Sequence, residues 1–322
     1  MNKLRTVFFF ALPWAVSAAD PSLLQLLMPD AKVVAGLQVT QAKNSLFGQY
    51  VLSHMQIDNT GFQNFTAQTG FDPRIDVSEI VMASNSSADG AQRSWLIAAK
   101  GTFDVAKITA AAQANGGAVN TYQGVKLVTY TEPSNPQIQN AIAFLDSSTA
   151  ATGDLASVQA AIGRQKSSAP TGGPFAQVQQ VSSQYAFWFV STVPLSQFSA
   201  VLPNGNSNSA MNNNILAGIS QASGGISFGD TVTVATQAVA RSDKDAQALV
   251  DVVKFFASFL QMNRQQNSQA GQVSAVLDNL QASASGNVAT ISLGIPEQQL
   301  EQMLDTAKET HQASRKPALR IN

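Results

Sequence analysis

The sequence predicts an α+β fold: two pseudo-repeats, each a mostly antiparallel sheet with helices packed on one face. Two observations predict it. The order of elements in residues 31–164 is written a second time in residues 185–310, most clearly in Phe144–Ile162 against Ala289–Leu304. Each of those stretches runs apolar strand, then Gly, then a helix with LxxVxxAI or LxxML spacing. The strands are also joined by short turns such as Gly229-Asp230, which suit hairpins between antiparallel neighbours.

In the first copy, Lys32–Val39 opens as a strand. Lys43–Met55 follows as a helix with Phe47, Tyr50, Val51 and His54 on one stripe, and Phe62–Thr69 as a shorter helix stopped by Gly70. Val77–Ser84 and Ser94–Gly101 alternate as paired strands across a polar loop. Asp104 stands as N-cap to the Ala-rich helix Val105–Asn115, which ends at Gly116-Gly117. Gln123-Gly124 turns a hairpin into Lys126–Tyr130. Ala141–Asp146 and Thr149–Gly153 are short strands, and Asp154 caps a helix to about Arg164.

In the second copy, Tyr185–Val193 is a strand and Leu195–Val201 and Asn212–Gln221 are helical segments. Gly225–Phe228 and Thr231–Ala240 pair across Gly229-Asp230. Ser242 caps a long helix, Asp243–Met262, whose Asp243 and Asp245 suit the positive end of the helix dipole. A helix near Val273–Leu280, strands Gln281–Ala284 and Asn287–Ile295, and a last helix opened by Pro296 complete it. The chain therefore divides into a leader (1–19), a first repeat (20–164), a Pro/Gly/Ser/Gln-rich boundary (165–184), a second repeat (185–310) and a flexible tail (311–322).

TGFDPRIDVSEIVMAS (Thr69–Ser84), the YQGVKLVTY hairpin (Tyr122–Tyr130) and AIAFLDSSTAATGDLASVQAAI (Ala141–Ile162) resemble exported bacterial proteins of a domain of unknown function. Those proteins share a "tG-D-p-x-x-D-v" turn, a "y-x-G" hairpin and a strand-turn-helix unit. The resemblance implies a secreted, duplicated α+β protein and assigns no catalytic residue.

The first twenty residues have the layout of a secretory signal. Lys3 and Arg5 precede an apolar run, Val7–Val16, and Ser17-Ala18-Ala19 supplies small residues for cleavage. The run is too short to span a bilayer, and no later run of that kind is long enough. Cleavage after Ala19 and a periplasmic or secreted destination follow as expectations. Nineteen basic against twenty acidic residues leave no field to draw in nucleic acid, which is excluded as a partner. The chain has no cysteine, so it lacks disulfides, thiol nucleophiles and Cys-ligated metals.

Candidate chemistry is sparse. Gly225-Ile226-Ser227-Phe228-Gly229 matches G-x-S-x-G, and Asp278 or Asp305 with His311 completes the hydrolase order. The serine is followed by an alternating strand instead of the helix a nucleophile elbow needs, so the sequence favours a hairpin there. His54 reads as a packing residue. Asp72, Asp76 and Glu79 lack the spacing and turn glycine of a calcium loop. No phosphate-cradling glycine loop is present, and no cofactor or metal is expected. The expected function is a non-catalytic exported protein that binds an envelope partner or lipid-like apolar ligand; a ligand-free scaffold and a serine hydrolase are the alternatives. The binding candidates are Val252, Phe255, Phe259 and Met262, a second apolar seam on the long helix beside the one a sheet would bury. The sequence leans toward a covering layer over that seam, which would make it core.

Overall fold

A computed structural model describes residues 18–54, 60–85, 94–132, 135–193, 218–262 and 275–315. Among them, twelve strands build one antiparallel sheet: β1 (Val33–Leu37), β2 (Val77–Ser84), β3 (Trp95–Gly101), β4 (Ala118–Tyr122), β5 (Val125–Glu132), β6 (Asn135–Phe144), β7 (Thr149–Asp154), β8 (Phe187–Ser191), β9 (Ile219–Ser227), β10 (Thr231–Ala240), β11 (Leu280–Ser285) and β12 (Val288–Pro296). Their order is β11-β12-β10-β9-β8-β1-β2-β3-β7-β6-β5-β4. The α+β class and antiparallel pairing agree with the sequence. Two separate sheets do not: β1 and β8 pair along their whole lengths, Val33 with Ser191 through Leu37 with Phe187, and fuse both halves. Outward from this seam one flank runs β2, β3, β7, β6, β5, β4 and the other β9, β10, β12, β11.

The helices are α1 (Pro21–Leu24), α2 (Val39–Asn44), α3 (Leu46–His54), α4 (Thr60–Thr69), α5 (Pro73–Asp76), α6 (Val105–Ala114), α7 (Leu155–Arg164), α8 (Phe175–Ser182), α9 (Asp243–Met262) and α10 (Glu297–Arg315). Their starts obey simple capping chemistry. Asp104 accepts from the Lys107 amide at 3.1 Å, Asp154 from Ser157 at 2.9 Å and Ser242 from Asp245 at 3.1 Å. The helix expected over Lys43–Met55 is broken at Ser45, whose backbone is extended. Its hydroxyl donates back to the Ala42 carbonyl at 2.7 Å and accepts the Gly48 amide at 2.9 Å, closing α2 and opening α3. Between β4 and β5, Gln123 and Gly124 both take positive φ, 49° and 84°, as a tight two-residue hairpin needs.

Helices cover both faces of the sheet, not one. On the face that carries Trp188, α1, α7 and α8 pack Leu23, Val158, Ile162, Phe175 and Val178 on Val34, Val81, Leu96, Ala143 and Val190. On the opposite face, Ile108 of α6 joins Phe103, Val128 and Phe144, with Phe65 and Phe71 packed alongside. The registers Ala35–Phe189, Phe189–Gly224, Gly224–Thr236 and Thr236–Ile291 carry this second face across the seam. There Ala246 and Val250 of α9 cover Ala240 and Ala289. Each fully buried large side chain contributes about 1.5–3 kcal/mol of transfer free energy. Gly36 lies opposite Trp188, and a Cβ there would run into the indole.

Four further expectations change. The 165–184 stretch contains α8, whose Phe175, Val178 and Val181 belong to the largest core. Ile219–Gln221 is strand β9 instead of helix. Pro296 ends β12, and α10 starts one residue later and continues through His311 to Arg315, where a tail was expected. Leu195–Val201 and the start of the helix near Val273 lie outside the described residues.

Candidate functional site

A cleft of about 1020 Å³ opens where the two halves of the chain meet beside the seam. One wall is the exit of β1 and the start of the helical excursion, with Gln38, Asn44, Ser45 and Leu46. The other is the β9–β10 turn, Phe228 to Asp230, with Glu297 at the start of α10. Pairing of β9 with β10 fixes the turn, and the Glu297 amide donating to the Asp230 carbonyl at 3.2 Å ties α10 to it. Phe228 stacks on Phe47 of α3, centroids 6.2 Å apart, and Phe47 on Tyr50. Tyr50 donates to Asp305 of α10, and that bond pushes its phenol up to about 12.

Glu297 is the electrostatic centre of the cleft. It is 7% exposed, and its Oε1 has no hydrogen-bond partner among the described residues. Burial pushes its carboxyl above the usual carboxylate range; Glu301 and Asp230 add repulsion, while the Phe47 amide at the start of α3 favours the charge. Among the described residues the lining of the cleft includes Asp230 and Glu297 and no basic side chain. Gln38 ends deep on the other wall, its amide beside the Glu79 carboxylate but short of hydrogen-bond geometry. The site thus offers an unsatisfied acceptor and negative charge against an aromatic and aliphatic wall of Phe228 and Leu46. Such a wall with one or two placed polar groups is the usual build of a small-molecule site.

The sequence did not indicate this cleft. Gly229-Asp230 reads as a turn and Glu297 as a helix start, which they are; only long-range pairing brings them to α2. The seam on α9 is visible in both sequence and structure. Val252 is half-buried, but Phe255 is 66% exposed, Phe259 51% and Met262 79%, with Phe256 and Leu260 also exposed beside them. Among the described residues no layer hides these side chains, contrary to the lean toward core.

The hydrolase candidates do not form an elbow. Ser227 is the last residue of β9, registered with Thr233, and a turn then leads into β10 with no helix behind the serine. Asp278 accepts the Gln261 side-chain amide at 2.9 Å and Asp305 is taken by Tyr50. The side chains of His54 and His311 lie outside the described residues. The acidic trio disperses likewise: Asp72 caps α5 and binds Arg74 at 2.6 Å, Asp76 accepts the Asp72 amide at 2.7 Å, and Glu79 accepts the Asp20 amide at 2.9 Å. The Arg74 guanidinium draws the Asp72 carboxyl below its usual range. No protein-family model, curated protein or solved structure matches the chain, so its chemistry is argued from its own residues.

Proposed function

We propose that the protein is an exported, non-catalytic binding protein whose cleft takes a small amphipathic ligand bearing an amine. The observation that carries this reading is Glu297: a buried carboxylate whose Oε1 has no hydrogen-bond partner among the described residues, near Asp230 and Glu301 and facing an apolar wall. An ammonium would satisfy that oxygen and offset the local negative charge, while the ligand's apolar body lies on Phe228 and Leu46. Export rests on the n-region, apolar run and small residues before Asp20. A pseudo-repeat origin is part of the same reading, supported by the parallel order β1, β2, β3, β7, β6 and β8, β9, β10, β12, β11 on the two sides of the seam.

Thermal unfolding with 2-phenylethylamine as probe tests the cleft. The midpoint should climb with probe concentration in the unmodified protein and stay flat in Glu297→Gln, and 2-phenylethanol should be inert. Equal effects of amine and alcohol, or none from the amine, would remove the reading. Fluorophosphonate labelling lost in Ser227→Ala would instead make the protein a hydrolase. The exposed seam on α9 favours a second mode, docking of a protein or lipid partner through Phe255 and Met262. Native mass spectrometry of material from its own host would show such a subunit or lipid.

A further inference from the structure

Behind α1 lies an acidic pair with only part of its counter-charge. Asp20 and Glu79 are joined by the Asp20 amide donating to Glu79 Oε1 at 2.9 Å. Among the described residues Lys100 is the one cation against them: its Nζ is 3.4 Å from Asp20 Oδ2 and donates to Ser22 Oγ at 2.9 Å. Glu79 is almost fully buried, and burial, with Asp20 adding to it, raises its carboxyl against the pull of Lys100. Two carboxylates therefore share one ammonium.

The chain arrives at this pair through Ala19. Ala19 is 1% exposed and belongs to the main core, and its amide donates to Ser182 Oγ at 3.1 Å. Ala18, just before it, is half-exposed. Cleavage after Ala19 would discard a packed side chain and take the donor from a buried hydroxyl. Cleavage one bond earlier keeps both, with Val16 and Ala18 in the −3 and −1 places.

We propose that the Ala18–Ala19 peptide bond is the maturation site, and that the α-ammonium released on Ala19 seats between Ser182 and Glu79 as the missing counter-charge. Hydrolysis adds water across that bond: the new carboxylate leaves with the leader and the new ammonium stays on Ala19. Adjacent backbone nitrogens are roughly 3.6 Å apart, so the ammonium lies within about 6.5 Å of Glu79 Oε1. At that range opposite charges still favour each other's ionised forms. Removing Ala18 opens the amine to water, which supplies its remaining hydrogen bonds. This inference rests on export.

The test is expression of the full chain with its own leader in an exporting host, followed by N-terminal sequencing and intact mass. Ala19 as first residue is expected. A leaderless product that begins at Asp20 or elsewhere overturns this inference alone, whereas retention of Met1 overturns export with it. The second arm measures acylation of the α-amine against pH. Glu79→Gln should lower the amine's pKa by about one unit, making acylation near pH 7 about tenfold faster. Lys100→Gln, at a half-exposed side chain, should slow it, which keeps the arm decisive if Glu79→Gln does not fold. An amine indifferent to both substitutions refutes the pairing.

Discussion

The two flanks of the sheet handle the same face in opposite ways. On the β2–β3–β7–β6 side, the face that carries Trp188 is Val81, Leu96, Ala143 and Ala151, sealed under α1 and α7. Across the seam, the same face of β10, β12 and β11 presents Gln237, Thr290, Ser283 and Ser285, all exposed, and α10 does not return over it. Instead α10 leaves β12 toward α3, where Tyr50 takes Asp305 and the Glu301 carbonyl. One flank is therefore sealed on the Trp188 face, while on the other that face is polar and the strands alternate polar and apolar. The helix that could have closed the second flank builds the wall of the cleft instead.

The largest expected effect comes from the closed flank and the seam. Trp188→Ala should cost about 3–5 kcal/mol, read as a lowered denaturant midpoint, because the indole is fully buried over Gly36. Leu96→Ala should cost about 2–5 kcal/mol, while Val288→Ala, half-buried on the open Trp188-side face of the other flank, should cost under about 1 kcal/mol. Equal losses at Leu96 and Val288 would erase the difference between flanks.

A smaller effect is set by pH. Glu297 has its folded pKa raised by burial, so the folded state holds that proton more tightly than the unfolded one. Stability therefore falls as pH rises from the unfolded value, about 4.3, through the raised folded one. Glu297→Gln should be more stable than the unmodified protein above that window and indistinguishable below it, in melts taken from pH 3 to 8. Asp72 runs the other way: lowered by Arg74, it stabilises at neutral pH and loses that contribution as pH drops below about 4, and Asp72→Asn should flatten the acid limb. The smallest effect is expected on α9, where Phe255→Ala and Met262→Ala should stay within about 0.5 kcal/mol. A large loss there would mean that the seam is covered.

Local chemistry was legible in the sequence and long-range pairing was not. Helix α9 runs over Asp243–Met262 as expected, because a serine cap, two first-turn acids and two apolar seams all lie within it. The Gln123-Gly124 and Gly229-Asp230 hairpins follow from turn residues alone. The break at Ser45 is invisible in the periodicity because the apolar stripe continues across it, while the hydroxyl that interrupts the helix carries no periodic signal. Helix α8 was hidden by its flanking Pro, Gly and Ser, although Phe175, Val178 and Val181 keep helical spacing. The fusion of the halves depends on β1 meeting β8, and nothing in VVAGL or FWFVS names its partner. The cleft inherits that blindness, since Gln38 and Glu297 come together only through the fused sheet.

The seam also sets a timetable for synthesis. β1 emerges from the ribosome early and can pair with β2, but its other edge stays open until β8 follows, roughly 150 residues later. At about 5–20 residues per second that gap lasts roughly 8–30 s. Throughout it, a strand of Val, Ala, Gly and Leu with no charge or proline offers free backbone groups to any neighbour. The strand order itself is thus a reason for the chain to be kept unpaired by a holding factor until its second half has been made.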